Sequence, residues 1–250
     1  MGVRIVSVDR PGYGHSDPTR TSLFGVAHDV EVVADALGLD RFGVLAVSGG
    51  GPFALATSAL LAERVSYVGL VAAPGPYLEV PGAMDQWSEE DVRLARGLPQ
   101  TADRVVEKIV VDAQPLLAMR DDDKALRGWV ETVLGGIDVH AMPTGVIDSE
   151  VANLKESLRQ GATGLAWDNI AWSGPWGFDL AEVRCPVSLW YGDSDPLVPS
   201  FHGEWFAAHL PNVVEFVVVP GAGHLALMRH WGDMLRVVTQ QTTTLRPERP

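Results

Sequence analysis

The sequence predicts an α/β protein built on a doubly wound, mostly parallel sheet. Three observations predict it. Five short runs rich in β-branched residues (3–8, 42–47, 67–71, 187–191 and 213–219) are apolar nearly throughout, as strands covered on both faces are. Helical apolar spacings lie between most of them, which is the alternation that winds a parallel sheet. One long interval, 76–178, carries helical patterns and no clear strand, so it reads as a helical insertion between the third and fourth runs.

In chain order, the run 3–8 ends at Asp9 and meets the loop Arg10-Pro11-Gly12-Tyr13-Gly14. Val26, Val30, Val33 and Leu37 then recur at helical spacing, with Thr21 or Ser22 available as N-cap. The run 42–47 passes through Ser48-Gly49-Gly50-Gly51 into a helix over 52–61. The run 67–71 is followed by Ala72-Ala73-Pro74. Within the insertion, helices are expected over 89–96, 102–111, 125–133 and 146–158, and five of the eight tryptophans fall there: Trp87, Trp129, Trp167, Trp172 and Trp176. Asp121-Asp122-Asp123-Lys124 reads as a solvated turn before a helix, because consecutive Asp side chains diverge too much to share a metal. The run 187–191 leads to Gly192-Asp193-Ser194-Asp195 and a helix over 201–210. The run 213–219 leads to Pro220-Gly221-Ala222-Gly223-His224 and a last helix carrying Leu227, Met228, Trp231, Leu235 and Val238. The tail 242–250 reads as frayed.

Bulk properties exclude several function classes. The 250 residues carry a formal charge of −13, which opposes binding to nucleic acid or an anionic membrane. No apolar stretch reaches 18 residues, and the apolar run before Asp9 is too short for a signal peptide. A cytoplasmic protein with neither nucleic-acid nor membrane partner is expected. The single cysteine, Cys185, permits no internal disulfide and no cysteine zinc cluster, and its apolar neighbours suggest a buried, inert thiol.

The glycine loop admits two readings. Gly49-Gly50-Gly51-Pro52-Phe53-Ala54 fits the dinucleotide pattern G-x-G-x-x-G/A, which cradles a pyrophosphate. That pattern requires an acidic residue after the next strand, and Ala72-Ala73-Pro74 offers none. No Gly-Lys-Ser/Thr follows either. Ala46-Val47-Ser48-Gly49-Gly50 instead approximates G-x-S-x-G, a sharp strand-to-helix turn that exposes a serine. Small residues two before and two after the serine relieve crowding, and Ala46 and Gly50 fill those places. The backbone N–H of Gly49 is then an oxyanion donor.

A serine needs a base and an orienting carboxylate. Both follow in the order Ser, Asp, His, each just past the C-terminal end of a strand-like run, the edge where α/β sheets hold their sites. His224 is the candidate base. Asp193 and Asp195 are equal candidates for the acid on spacing alone. Of the other six histidines, His28, His202, His209 and His230 fall in helix patterns and His15 in a polar loop, so they read as structural or exposed; His140 lies in the insertion.

Together, Asp9-Arg10-Pro11-Gly12-Tyr13-Gly14-His15-Ser16, the Ser48 turn, Gly192 through Pro199 and Gly221-Ala222-Gly223-His224 resemble the α/β-hydrolase superfamily in its cap-bearing branch. Trp176-Gly177-Phe178-Asp179-Leu180 resembles the exit from that branch's cap. The resemblance implies an α/β-hydrolase fold with core segments 1–76 and 179–250 around a helical cap at 77–178. It favours Asp195 as the triad acid and implies a structural role for the Asp-Arg-Pro-Gly loop. Ala46 stands where the family has its first glycine. The family also has three strands before the one matched by 3–8, and the third ends in a His-Gly loop that supplies a second oxyanion donor. Nothing in this chain matches them, so an N-terminally incomplete sheet is expected, with 3–8 pairing directly with 42–47 or leaving backbone groups unpaired.

The expected function is a serine hydrolase. Ser48 attacks an acyl carbonyl, His224 moves the proton, Asp195 orients the imidazole and Gly49 N–H holds the oxyanion. No cofactor and no metal is required. The partner is a small-molecule acyl substrate, a small or medium ester foremost. Serine at the elbow disfavours the family's aspartate-based dehalogenase and epoxide chemistry. C–C bond or amide hydrolysis and a non-catalytic ligand-binding role remain alternatives.

Overall fold

The computed structural model describes residues 3–142, 145–225, 228 and 230–244, with backbone alone over 241–244. The chain divides into two compact units: Met1–Ser7, Leu23–Gly75 and Gly177–Pro250 in one, Val8–Ser22 and Pro76–Trp176 in the other.

The first unit holds a four-stranded, wholly parallel sheet in the order β1 (Phe42–Val47), β2 (Val65–Val71), β3 (Val187–Gly192), β4 (Val213–Val219). All four coincide with expected runs, β2 beginning two residues early. Every residue of β2 and β3 is buried, which explains their largely apolar sequences, broken only by the buried Ser66 and Ser188. Edge strand β4 instead alternates half-buried and exposed positions. Helix α1 (Leu23–Ala36) packs on α2 (Gly51–Leu60), and α2 packs on β1 and β2. Helix α9 (Phe201–His209) packs on β3 and β4, and α10 (Trp231–Thr244) on β1 and β2. Leu227 and the tail from 245 lie outside the described residues.

The expected strand at 3–8 does not form. The segment is irregular, with Ile5, Val6 and Val8 exposed, and β1 pairs with β2 alone among the described residues. A β-branched run becomes a strand only where a neighbour accepts its ladder hydrogen bonds. No such neighbour is present for 3–8 among the described residues, so neither pairing with 42–47 nor any other ladder is made.

The second unit is helical: α3 (Glu89–Arg96), α4 (Ala102–Asp112), α5 (Gln114–Ala118), α6 (Asp123–Ala141), α7 (Val146–Ser157) and α8 (Thr163–Ser173). Ser88 caps α3 by accepting from Asp91 N, and Asp122 caps α6 by accepting from Lys124 N and Ala125 N. The acidic run at 121–123 therefore works as a helix start. Helix α6 runs well beyond the expected 125–133, through a kink at Gly135 (φ 74°), and α5 and α8 were not anticipated. Helix α8 is buried or half-buried at every position after Thr163, so its sequence shows little helical periodicity.

The loop 9–16 belongs to this second unit. Arg10 Nε donates to Asp168 Oδ2 at 2.9 Å, and Gln160 Nε2 donates to Gly14 O and Ser16 O at 3.0 and 2.7 Å. Gly12 and Gly164 meet backbone to backbone: a Cβ on Gly164 would lie 2.9 Å from Gly12 O. Tyr77 packs against Trp87 and Trp172 with tilted rings, centroids 4.8 and 5.3 Å away. Trp87, Trp172, Leu94, Leu98, Val105 and Ile109 help line a cavity of about 310 Å³ in the same unit. No helix among the described residues is long and apolar enough to cross a membrane.

Candidate active site

The nucleophile candidate sits where β1 turns into α2. Val47 is still extended (φ −117°, ψ 139°), and Ser48 switches to φ +52°. A 3₁₀ turn over Ser48–Gly50 follows, with Gly51 N donating to Ser48 O, and α2 begins at Gly51. A left-handed backbone at a non-glycine residue costs about 1–3 kcal/mol and persists where surrounding structure imposes it. Here the imposing structure is tight. A Cβ on Gly50 would stand 3.6 Å from Ala46 Cβ, and one on Gly51 would stand 2.4 Å from Ala73 Cβ. The first is an ordinary van der Waals contact, so the space at position 50 does not by itself demand glycine. The second, a close approach of α2 to the chain leaving β2, has no signature in the local pattern. The turn aims the N-terminus of α2, with its positive dipole end, toward the side where Ser48 stands.

Because all strands are parallel, the ends of β1, β3 and β4 lie along one edge of the sheet. Neighbouring strands are about 4.8 Å apart, so the ends of β1 and β3 are about 10 Å apart across β2.

The acid and base loops are stitched together. A Cβ on Gly192, the last residue of β3, would lie 2.1 Å from Ala222 O, so only glycine lets the base loop pass. Ser194 N donates to Ala222 O at 3.1 Å, and Asp193 Oδ1 accepts from Gly221 N at 2.8 Å. Gly221 itself takes φ +65°. The two aspartates thus have separate places. Asp193 is exposed and braces the turn. Asp195 is buried (5 % exposed), and its Oδ1 accepts from Leu197 N and Val198 N at 2.8 and 2.9 Å. Its Oδ2 lies 2.7 Å from Nδ1 of His224, which is 6 % exposed. A carboxylate at Nδ1 fixes the proton there and leaves Nε2 with its lone pair, the form a general base needs.

The structure therefore brings Asp195 and His224 into contact and presents Ser48 and Gly49 at the end of β1 on the same sheet edge. Among the described residues, no hydrogen bond joins the Ser48 hydroxyl to His224. Nucleophile–base bonds are commonly long without substrate and tighten in the reacting complex.

Two further buried groups stand beside Asp195. Tyr191 is completely buried, and its hydroxyl donates to Ala73 O at 2.6 Å. Burial and the Asp195 charge push its phenol well above its ordinary range. His202, in the first turn of α9, accepts from Gly75 N through Nδ1 at 3.0 Å. Burial pushes its imidazole down to about 4, against the opposing pull of Asp195. Sequence reasoning assigned neither to the site. Tyr191 looked like one more apolar strand residue, and His202 one more helical histidine. Elsewhere in this unit, Cys185 is buried, 3.1 Å from Ser58 Oγ, and burial raises its thiol. No group of three or more metal-binding side chains occurs among the described residues.

Comparison with known proteins supports the fold. The sequence profile described as "alpha/beta hydrolase fold" matches residues 2–230. The chain is 26 % identical over 251 aligned positions to a 2-hydroxy-6-oxononadienedioate/2-hydroxy-6-oxononatrienedioate hydrolase of Cupriavidus pinatubonensis, covering 95 % of this chain and 75 % of that protein. A protein of the same description from Pseudomonas putida is 25 % identical, with 95 % and 76 % covered. Among solved structures, a thermophilic esterase from Thermogutta terrifontis aligns with TM-score 0.64 at 18 % identity, covering 95 % of this chain and 78 % of that one. A bromoperoxidase from Bacillus anthracis aligns with the same score and identity, covering 94 % and 80 %. At those identities the two structures speak for the fold alone.

Proposed function

Because the chain belongs to the alpha/beta hydrolase family, we propose that it is a serine hydrolase of small-molecule acyl compounds, with Ser48 as nucleophile, His224 as general base and acid, and Asp195 as the carboxylate that orients His224. The observation that carries this reading is the buried 2.7 Å contact of Asp195 Oδ2 with His224 Nδ1, on the same sheet edge as the strained Ser48 turn. Ser48 Oγ adds to the carbonyl carbon while His224 Nε2 takes its proton. The oxyanion is held by Gly49 N–H in the 3₁₀ turn that precedes α2. His224 then protonates the leaving group, and water repeats the cycle on the acyl-enzyme. Segment 77–178 acts as the cap of this enzyme and 23–76 with 179–250 as its core, while 8–22, expected in the core, groups with the helical unit.

Ester hydrolysis is the first reading. A second, C–C hydrolysis, is favoured by the names of the relatives, which are hydrolases of 2-hydroxy-6-oxo dienedioates. Addition to a ketone carbonyl and expulsion of a conjugated carbanion, protonated by His224, uses the same residues.

Two measurements test the proposal. A fluorophosphonate should label Ser48 in the wild type and leave Ser48→Ala unlabelled. Turnover of p-nitrophenyl acetate and of a 2-hydroxy-6-oxo dienedioate, compared on the same preparation, separates the two readings. Equal turnover by wild type and Ser48→Ala would end both.

A further inference from the structure

The chain leaving β2 is held at three points. Ala72 sits at φ +46° with its N–H on Trp190 O at 2.8 Å. Ala73 O accepts from the Tyr191 hydroxyl at 2.6 Å, and Gly75 N donates to His202 Nδ1 at 3.0 Å. Both side-chain partners flank the acid: Tyr191 precedes Asp195 by four positions at the end of β3, and His202 follows it by seven at the start of α9. On its other side the same segment abuts the nucleophile turn, since Ala73 Cβ fills the space a Gly51 side chain would need. Residues 72–75 are thus a spacer between the Ser48 turn and the loop carrying Asp195.

We propose that His202 is a positioning residue which, together with Tyr191, locks this spacer and so sets the distance between Ser48 and the Asp195–His224 pair. The proposal rests on the serine-hydrolase reading above. The bond demands an unprotonated Nδ1, because a protonated ring would turn a second donor on Gly75 N–H. The low imidazole value of about 4 keeps that acceptor available across the range in which a general-base histidine works. His202 acts through the backbone at Gly75, so its loss should appear in the chemical step rather than in substrate binding. A displacement near 1 Å at a reacting group is worth about 100-fold in rate.

The test uses the full chain, p-nitrophenyl acetate and the rate of fluorophosphonate labelling of Ser48. Asparagine sets its carbonyl oxygen one bond from Cγ, as Nδ1 is in histidine, whereas glutamine sets it one bond too far. His202→Asn should keep kcat within about 3-fold of wild type, while His202→Gln and His202→Leu lose about 10- to 100-fold in kcat and labelling rate with KM little changed. Tyr191→Phe, which removes the other tie to the same segment, should lower kcat in the same sense, and the double variant should lose less than the product of the single losses. If His202→Leu fails to fold, the contrast of Asn with Gln and the Tyr191→Phe result decide. Unchanged kcat and labelling in folded His202→Gln and Tyr191→Phe would overturn the proposal and leave the serine-hydrolase reading standing. So would an Asn variant no better than Gln, or a loss confined to KM or to the melting temperature. A wild type that neither labels at Ser48 nor turns over would end both.

Discussion

Asp195 Oδ2 and His224 Nδ1 stand 2.7 Å apart with both side chains almost fully buried, while Asp193, two residues earlier, is exposed and bonded to Gly221 N. The two aspartates should therefore part sharply on mutation. Asp195→Asn keeps an oxygen for Leu197 N and Val198 N, so the loop stands, but its amide offers His224 a donor and favours the wrong tautomer. A loss of about 10⁴ in kcat is expected with little change in fold. Asp193→Ala should cost about 1 kcal/mol of stability and leave kcat within the same order of magnitude. Steady-state kinetics with urea unfolding of both variants checks this.

Ser48 carries its side chain at φ +52°. Glycine accepts that conformation freely and alanine does not. Ser48→Gly should therefore be about 1 kcal/mol more stable than Ser48→Ala, although both lack the Oγ and should be inactive. Paired urea denaturation curves give the difference directly.

His202 gives stability a pH dependence of definite sign. The folded imidazole is pushed down to about 4 from an ordinary 6.5. Between those values the unfolded chain takes up a proton that the folded chain refuses. The contribution is fully present above pH 6.5 and is lost as pH falls toward 4, by about 3 kcal/mol in all. Unfolding midpoints from pH 4 to 8 should fall on the acid side, and His202→Asn should flatten that slope.

In the helical unit, Asp168 is buried and its partner Arg10 is partly exposed. Arg10→Met would leave the carboxylate unpaired at a cost of about 3 kcal/mol at neutral pH. Adding Asp168→Leu should recover much of the loss, because an apolar pair needs no compensating charge. Thermal melts of the single and double variants test this.

Much of the site was legible from sequence because its demands are local. A serine between small residues at the end of an apolar run, and an aspartate and a histidine after two later runs, need only chain order and strand ends to be recognised. The four strands of the sheet were legible for a similar reason, since each is a short, mostly apolar run rich in β-branched residues, and the two central ones are buried along their whole length. The run 3–8 has the same composition and forms no strand, because pairing depends on a neighbour and composition does not supply one. Helix α8 escaped for the converse reason: burial on most sides erases the period by which a helix is read.

The sequence by itself determined the fold class, the order serine, aspartate, histidine at three strand ends, and the small residues beside Ser48. The resemblance favoured Asp195 over Asp193, and the tertiary structure supplied the physical ground, because one hydrogen bond across two loops distinguishes residues that spacing treats alike. The tertiary structure alone set Ala73 against Gly51 and bound Tyr191 and His202 to the chain leaving β2. Those contacts join residues far apart in sequence, and a contact between distant segments leaves no pattern in either one.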